Sequence, residues 1–427
     1  TRSGAEWTNH SWLSQVLLFT VYSNNGFTGL SILMAVCAVA SMWLVSRQMS
    51  GSPILKMLLL VFGGIVASVN WVPRPQIISL VLLALTGLLL ARYQRKPDRW
   101  IWLFPVVMMG WGNLHGGYAL GLLLAGCVIG GSVLAHVFGR EPVLRWRDVG
   151  RLILVILISY LATAINPNGL NTLLIPFQTI GVEGLQNFIS EWASPDFHEP
   201  LTQAFLVYFL ALVWMMVMAR RRVTLVELVT VTLFGYMAFT ARRNFGPFVL
   251  VSLPVFSAQL SAIQIPDSIT NWLNRVRAKV SGPSSFSDLS RTSTNAMILF
   301  LLVIAAVMKT IVVTQPDFIH VSIRQMYPLT AVEWMQEHLQ PARMISDYNW
   351  GGFLLWFQPE SPVFIDGRTD LYGDEIMGEW LEVAQCGENA SEILQKWDAQ
   401  VLLFPPDRPI STCMADQGWQ IAYKDDQ

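Results

Sequence analysis

Residues 100–126 read WIWLFPVVMMGWGNLHGGYALGLLLAG. Two apolar runs meet at one polar seam, where Asn113 and His115 sit among Gly112, Gly116 and Gly117. Asparagine and histidine cost free energy in hydrocarbon unless they are paired or wetted. The seam therefore reads as the place where two membrane helices end together, beside a cavity or an interface.

The rest of the chain agrees. Of 427 residues, 53% are hydrophobic and only 13% charged, with a mean hydropathy of +0.45. Soluble domains carry about 25% charged residues, so an integral membrane protein is expected. A spanning helix needs about 20 apolar residues, with a range of roughly 17–25. Candidate runs lie at 28–45, 54–69, 75–91, 100–114, 117–138, 151–165, 202–219, 224–240, 245–260 and 295–314. Several are short and Pro105 interrupts the fourth, which neighbouring helices or a wet cavity can accommodate. Residues 11–22, SWLSQVLLFTVY, have the spacing of a helix lying on the membrane surface.

Charge sets the expected orientation. Alternate loops carry seventeen basic residues, among them Arg92, Arg95, Arg140, Arg145, Arg147 and Arg222. The opposite loops before residue 315 carry only Arg2, Arg74, Arg242 and Arg243. By the positive-inside rule the first set is cytoplasmic. Ten spans are an even number, so both ends of the chain are expected outside. From residue 315 onward the balance turns acidic, eighteen Asp/Glu against six Lys/Arg. The expected fold is a polytopic α-helical membrane protein of about ten transmembrane helices. Residues 1–27 form an outer loop with the surface helix, 28–314 the transmembrane domain, and 315–427 an extracytoplasmic α/β domain.

That tail alternates in type. LTAVEWMQEHL, EIMGEWLEVAQ and ASEILQKWD read as helices, and ARMISD, PVFID, QVLLFP and WQIAYKD as short strands. Cys386 and Cys413 lie within it, and pairing requires that it face an oxidising space; spacing alone leaves this open. Cys37 and Cys127 read as small core residues. SGPSSFSDLSRTSTN, in the 261–294 loop, reads as a mobile linker. The chain begins at Thr1 with no signal peptide, and further sequence is expected upstream.

Polar clusters gather at the outer span ends: WTNHSW (7–12), NWVPRPQ (70–76), WGNLHGG (111–117), NPNG (166–169), ISEWASPDFHEP (189–200) and TARRNFGPF (240–248). Asn113 and His115 either cap helix ends or line a ligand cavity. Arg242 and Arg243 either snorkel to headgroups or bind an anion, and their disfavoured side favours the anion. Glu191 beside Trp192 is a solvated loop acid or a catalytic or metal-binding one. His10 stays ambiguous, and NPNG reads as a turn. In the tail, Asp347, Trp350, Asp366, Arg368, Asp370 and Tyr372 fall in two loops at strand ends; they read as acceptor recognition or as a structural turn. Phosphate-cradling loops, His-Glu-x-x-His, Cys-x-x-Cys and nucleophile elbows are absent from the sequence. Mid-span acids are nearly absent too, which counts against an ion-coupled transporter.

With these motifs the chain resembles bacterial polytopic proteins of the GT-C glycosyltransferase superfamily over essentially its full length. The resemblance rests on WTNHSWLSQVLL, WGNLHGGYALGLLL, AINPNGL, SEWASPDF and ARRNFGPF, and in the tail on SDYNWGGFLLW, PVFIDGRTDLYG and GWQIAYKD. It implies a sugar donor carried on polyprenyl phosphate, used at the outer face of the bacterial inner membrane. It also implies an essential acid in the first outer loop, expected upstream of Thr1, and an arginine near the lipid phosphate. Among the residues present, Glu191, His10 and His115 are the expected catalytic groups. Asn113, Arg242, Arg243, Arg74, Trp192, Asp366 and Arg368 are expected at the substrate. Mg²⁺ or Mn²⁺ is implied as an assisting ion. Trp7, Trp12, Trp71, Trp111 and Trp192 are expected as sugar-stacking platforms or as an interfacial belt. The competing expectation is a non-catalytic accessory subunit of a larger membrane complex.

Overall fold

The computed structural model of the chain describes residues 7–180, 191–263 and 288–425. They fall into two compact units. One holds residues 9–176, 191–263 and 288–310; the other holds residues 7–8, 177–180 and 311–425.

The first unit is helical. Its helices are α1 (Trp12–Ser46), α2 (Pro53–Ala67), α3 (Gln76–Arg95), α4 (Leu103–Leu114), α5 (Ala119–Val137) and α6 (Trp146–Ala162). After the short α7 (Ile175–Ile180) come α8 (Pro200–Met218), α9 (Leu225–Thr240) and α10 (Phe245–Ser261), and α11 (Asp288–Val313) leads onward. Five of the described helices are long and apolar enough to cross a membrane: Trp12–Ser46, Pro53–Asn70, Gln76–Arg95, Tyr118–Val137 and Pro200–Met218. Ten runs were expected. Four of the other five fall short in length, since α4, α6, α9 and α10 have only 12 to 17 residues each.

Local chemistry explains the boundaries. α1 is two helices joined at Gly26, whose φ of 56° leaves the helical region. The kink separates the expected surface helix from the apolar run that follows. Pro53 opens α2, where Ser52 accepts the Leu55 N–H at 3.3 Å. α9 starts with a capping box. Thr224 accepts the Glu227 N–H at 3.2 Å, and Glu227 accepts the Thr224 N–H at 2.9 Å. Arg221 clamps the same carboxylate with donors at 2.7 and 3.0 Å.

Inside the unit, aromatic rings tie α8, α9 and α10 together. Phe205 stacks on Phe245 at 4.1 Å and meets Phe239 and Phe248 edge-on at 5.1 and 5.8 Å. Such pairs add about 0.5–1.5 kcal/mol beyond area burial. α5 and α9 approach until a Cβ on Gly131 would collide with the Val226 backbone. Outward-facing Val39 and Val217 are 68% and 75% exposed, an apolar surface that a bilayer covers.

The second unit combines short helices with a two-stranded parallel sheet. Its elements are α12 (Pro316–Met326), α13 (Leu329–His338), β1 (Met344–Ser346), α14 (Gly351–Phe357), α15 (Thr369–Ala384), α16 (Ala390–Lys396), β2 (Val401–Leu403) and α17 (Pro409–Asp416). Met344, Ile345 and Ser346 pair with Val401, Leu402 and Leu403. Two expected strands do not form. Val363 of PVFID makes a single bridge to Met344 before the chain turns at Asp366. WQIAYKD has no ladder partner and is held by its aromatics, Trp419 against the core and Tyr423 beside Trp334 at 5.5 Å. Tyr372, Met377, Trp380 and Val383 are buried, and Cys386–Cys413 closes a disulfide across 27 residues. Most of the 261–294 linker lies outside the described residues.

Candidate functional site

In the helical unit the polar rim residues form two clusters. The first is built where α4 ends. His115 leaves the helix with extended backbone, φ −166° and ψ 144°. Its Nδ1 accepts the Gly117 N–H at 3.1 Å and lies 2.7 Å from Ser79 Oγ. Ser79 Oγ in turn accepts the Trp111 indole N–H at 2.7 Å, so its own proton points to His115. Two donors aimed at Nδ1 make it the acceptor nitrogen, and the imidazole proton sits on Nε2. Nε2 has no hydrogen-bond partner among the described residues. A Cβ at position 117 would lie 2.7 Å from both Nδ1 and Ser79 Oγ, so only glycine leaves room here. The His10 ring is 6.1 Å away. Burial, then electrostatic repulsion from His10 and Arg243, push the His115 pKa down to about 3. The ring is neutral at physiological pH.

The second cluster joins the segment after residue 190 to the turn between α9 and α10. The Arg242 and Arg243 N–H groups donate to the Ala193 and Glu191 carbonyls at 3.2 and 3.0 Å. Asn70, buried to 4% exposure, donates to the Arg243 carbonyl and accepts the Gly246 N–H, both at 2.8 Å. This turn is thus pinned from two sides. Arg74 pairs with Glu191 at 2.5 Å, and Arg242 with Glu199 at 2.8 Å. Arg243 is different. Its guanidinium lies 3.9 Å from the Trp192 ring centre and has no ion-pair partner among the described residues. Burial lowers its pKa to about 10; Glu191 opposes that shift and Arg74 adds to it. Even so, the group keeps its charge near neutrality.

The remaining expected residues sit as follows. Asn113 accepts from Trp12 Nε1 at 3.1 Å and donates to the Met109 and Ile165 carbonyls, both at 2.9 Å. These bonds fasten α1, α4 and the turn after α6, and they use both of its amide N–H donors. Trp111 is fully buried. Asn166 of NPNG bonds within its own turn, to Thr172 and to the Asn168 N–H.

Asp366 and Arg368 belong to the second unit and pair with each other at 2.5 Å. Tyr372 donates to the same carboxylate at 2.7 Å, and Trp7 lies 5.3 Å from the Arg368 guanidinium. Burial alone would raise the Asp366 carboxyl, yet these hydrogen bonds hold it below the usual range. The neighbouring Asp347 pairs with Arg408 at 2.9 Å. The Asp370 side chain lies outside the described set.

Ser79, Asn70 and Glu199 are the contributors that sequence reasoning missed. Ser79 is a lone serine in an apolar run, and Asn70 was part of NWVPRPQ without an assigned partner. Among the described residues, no three His, Cys, Asp or Glu side chains gather as a metal site. The chain matches no known family model, and no curated protein is similar to it.

Proposed function

We propose that this protein is a GT-C-like glycosyltransferase of ten spans that takes a sugar from a polyprenyl-phosphate donor at the outer face of the bacterial inner membrane. One observation carries the reading: Arg243, charged and largely buried on Trp192, makes no direct ion pair among the described residues and lies close enough to lower the His115 pKa. A desolvated cation with no direct ion pair favours an anion, and a guanidinium suits phosphate geometry. The neutral His115 offers an Nε2–H donor beside it. The loop charges support the orientation, and the Cys386–Cys413 bridge suits a tail that faces an oxidising space.

In this reading a carboxylate takes the acceptor hydroxyl proton as the oxygen bonds to the anomeric carbon. The sugar–phosphate bond breaks, and the phosphate leaves with its electron pair. Arg243 stabilises that charge. Glu191, held by Arg74, is the acid of this chain proposed for that step. Mg²⁺ or Mn²⁺ remains part of the proposal, but the described residues gather no ligand set for it and no role is assigned to it. In the full-length protein, Arg243→Gln is expected to lower transfer from a lipid-linked sugar by about 10²–10³-fold. Undiminished transfer in both Arg243→Gln and His115→Asn would end the enzyme reading.

A second reading, an accessory subunit, draws on the rim carboxylates. Glu191 and Glu199 are each engaged by an arginine. Co-purification with partner proteins in fixed stoichiometry and without carrier lipid would favour it.

A further inference from the structure

Two cavities meet beside Gln94 and Val143, at the end of α3. A groove of about 1780 Å³ runs between α5, α8 and α9. Phe209, Val213, Val217, Leu228, Val231 and Tyr236 wall it, and Val217 and Tyr236 are 75% and 68% exposed within it. Its volume exceeds the roughly 300–1,000 Å³ of a small-molecule site. From Thr224 to Phe239 the groove follows α9 for about 22 Å at 1.5 Å per residue. One leaflet of hydrocarbon is about 15 Å deep, half of a core of about 30 Å. The groove thus covers the full depth of a leaflet.

The charged end of the groove holds Arg140, Arg222 and one acid, Glu141. Gln94 and Val143 line both this groove and a second cavity of about 470 Å³. That second cavity contains Arg95, Arg145, Arg147 and Arg151, with Asp148 as its acid. Asp148 faces Arg151 at 3.8 Å, and Arg95 donates to the Gln48 carbonyl at 3.4 Å. Arg140, Arg145, Arg147 and Arg222 have no ion-pair partner among the described residues. An apolar channel a leaflet deep thus opens into a basic pocket with unneutralised charge.

We infer that these joined cavities bind an anionic glycerophospholipid, with its headgroup phosphate among Arg140, Arg145, Arg147 and Arg222 and its acyl chains along α9. Both halves of the ligand are needed. A soluble anion leaves the apolar groove empty, and a zwitterionic lipid leaves the arginines without net neutralisation. The inference is independent of the glycosyltransferase reading, because its arginines lie before α9 and at or before the start of α6, whereas the Arg243 turn follows the end of α9.

The test uses the whole protein, delipidated in a neutral detergent, with native mass spectrometry and thermal melting as readouts. The probes are phosphatidylglycerol, phosphatidylcholine with the same acyl chains, and inorganic phosphate. Phosphatidylglycerol is expected to bind and to raise the melting temperature, with phosphatidylcholine at least about tenfold weaker. Two double variants at exposed positions, R145Q/R147Q and R140Q/R222Q, are each expected to remove roughly tenfold or more of that preference. Leu228→Trp, which fills the groove, is expected to weaken both lipids while helical content is unchanged. Equal binding of the two lipids to the native protein would overturn the inference. So would unaltered selectivity in both double variants, or stabilisation by inorganic phosphate equal to that by phosphatidylglycerol.

Discussion

At the residue scale, His115 shows how three neighbours decide the chemistry of one ring. Gly117 and Ser79 fill Nδ1, Trp111 orients Ser79, and burial beside Arg243 keeps the ring neutral. Its folded pKa lies below the unfolded value of about 6.5, so the unfolded chain binds the proton first. Stability therefore falls as pH drops from about 6.5 toward about 3, by up to about 1.4 kcal/mol per pH unit. Thermal melting between pH 5 and 7 is expected to show this slope, and His115→Asn to flatten it. Asn70 is the second such residue. Asn70→Ala leaves the Arg243 carbonyl and the Gly246 N–H without their buried partner. A loss of about 1–3 kcal/mol is expected in the melting of the protein in detergent.

At the scale of elements, close approach and covalent closure hold pieces that short helices alone would leave loose. α5 and α9 touch through Gly131, where a side chain meets the Val226 backbone rather than a flexible tip. Gly131→Leu must separate the two helices, with an expected cost of about 1–3 kcal/mol or more; thermal melting reads it. In the second unit, the disulfide fastens the end of α15 to α17. Cys386→Ser with Cys413→Ser is expected to lower the stability of that unit by about 3–4 kcal/mol. Adding a reductant to the native protein should produce the same drop, seen in tryptophan fluorescence because Trp380 and Trp397 report on that core.

At the scale of the molecule, the proposed topology puts the arginine-rich loops inside and the tail outside. Single cysteines placed at Arg145 and at Arg343, with the native cysteines replaced, are expected to react with a membrane-impermeant maleimide from opposite sides. Labelling of both from one side would reject the ten-span arrangement. The helical elements were legible in the sequence, because they rest on period and composition. The apolar runs announced the helices, Gly26 kinks α1 between the expected surface helix and the apolar run, and ARMISD and QVLLFP became the paired strands. Arg243 stood out in the sequence as well, as a cation in a loop expected on the side that disfavours cations. What stayed hidden depends on distant partners. Ser79 meets His115 across 36 residues, and Asn70 meets the Arg243 carbonyl across 173. No local pattern marks either contact. Strand length was over-read: PVFID makes one bridge to Met344 before it turns at Asp366, and WQIAYKD joins no ladder among the described residues.

The imidazole locked at the end of α4 has a practical corollary for anyone seeking small molecules against this protein. A ring whose only proton faces away from Ser79 can give a hydrogen bond but has no lone pair left to receive one. Compounds presenting an ether, carbonyl or phosphoryl oxygen there should be retained in a fragment screen. Amines of the same shape should be rejected, twice over, since the nearby guanidinium repels them.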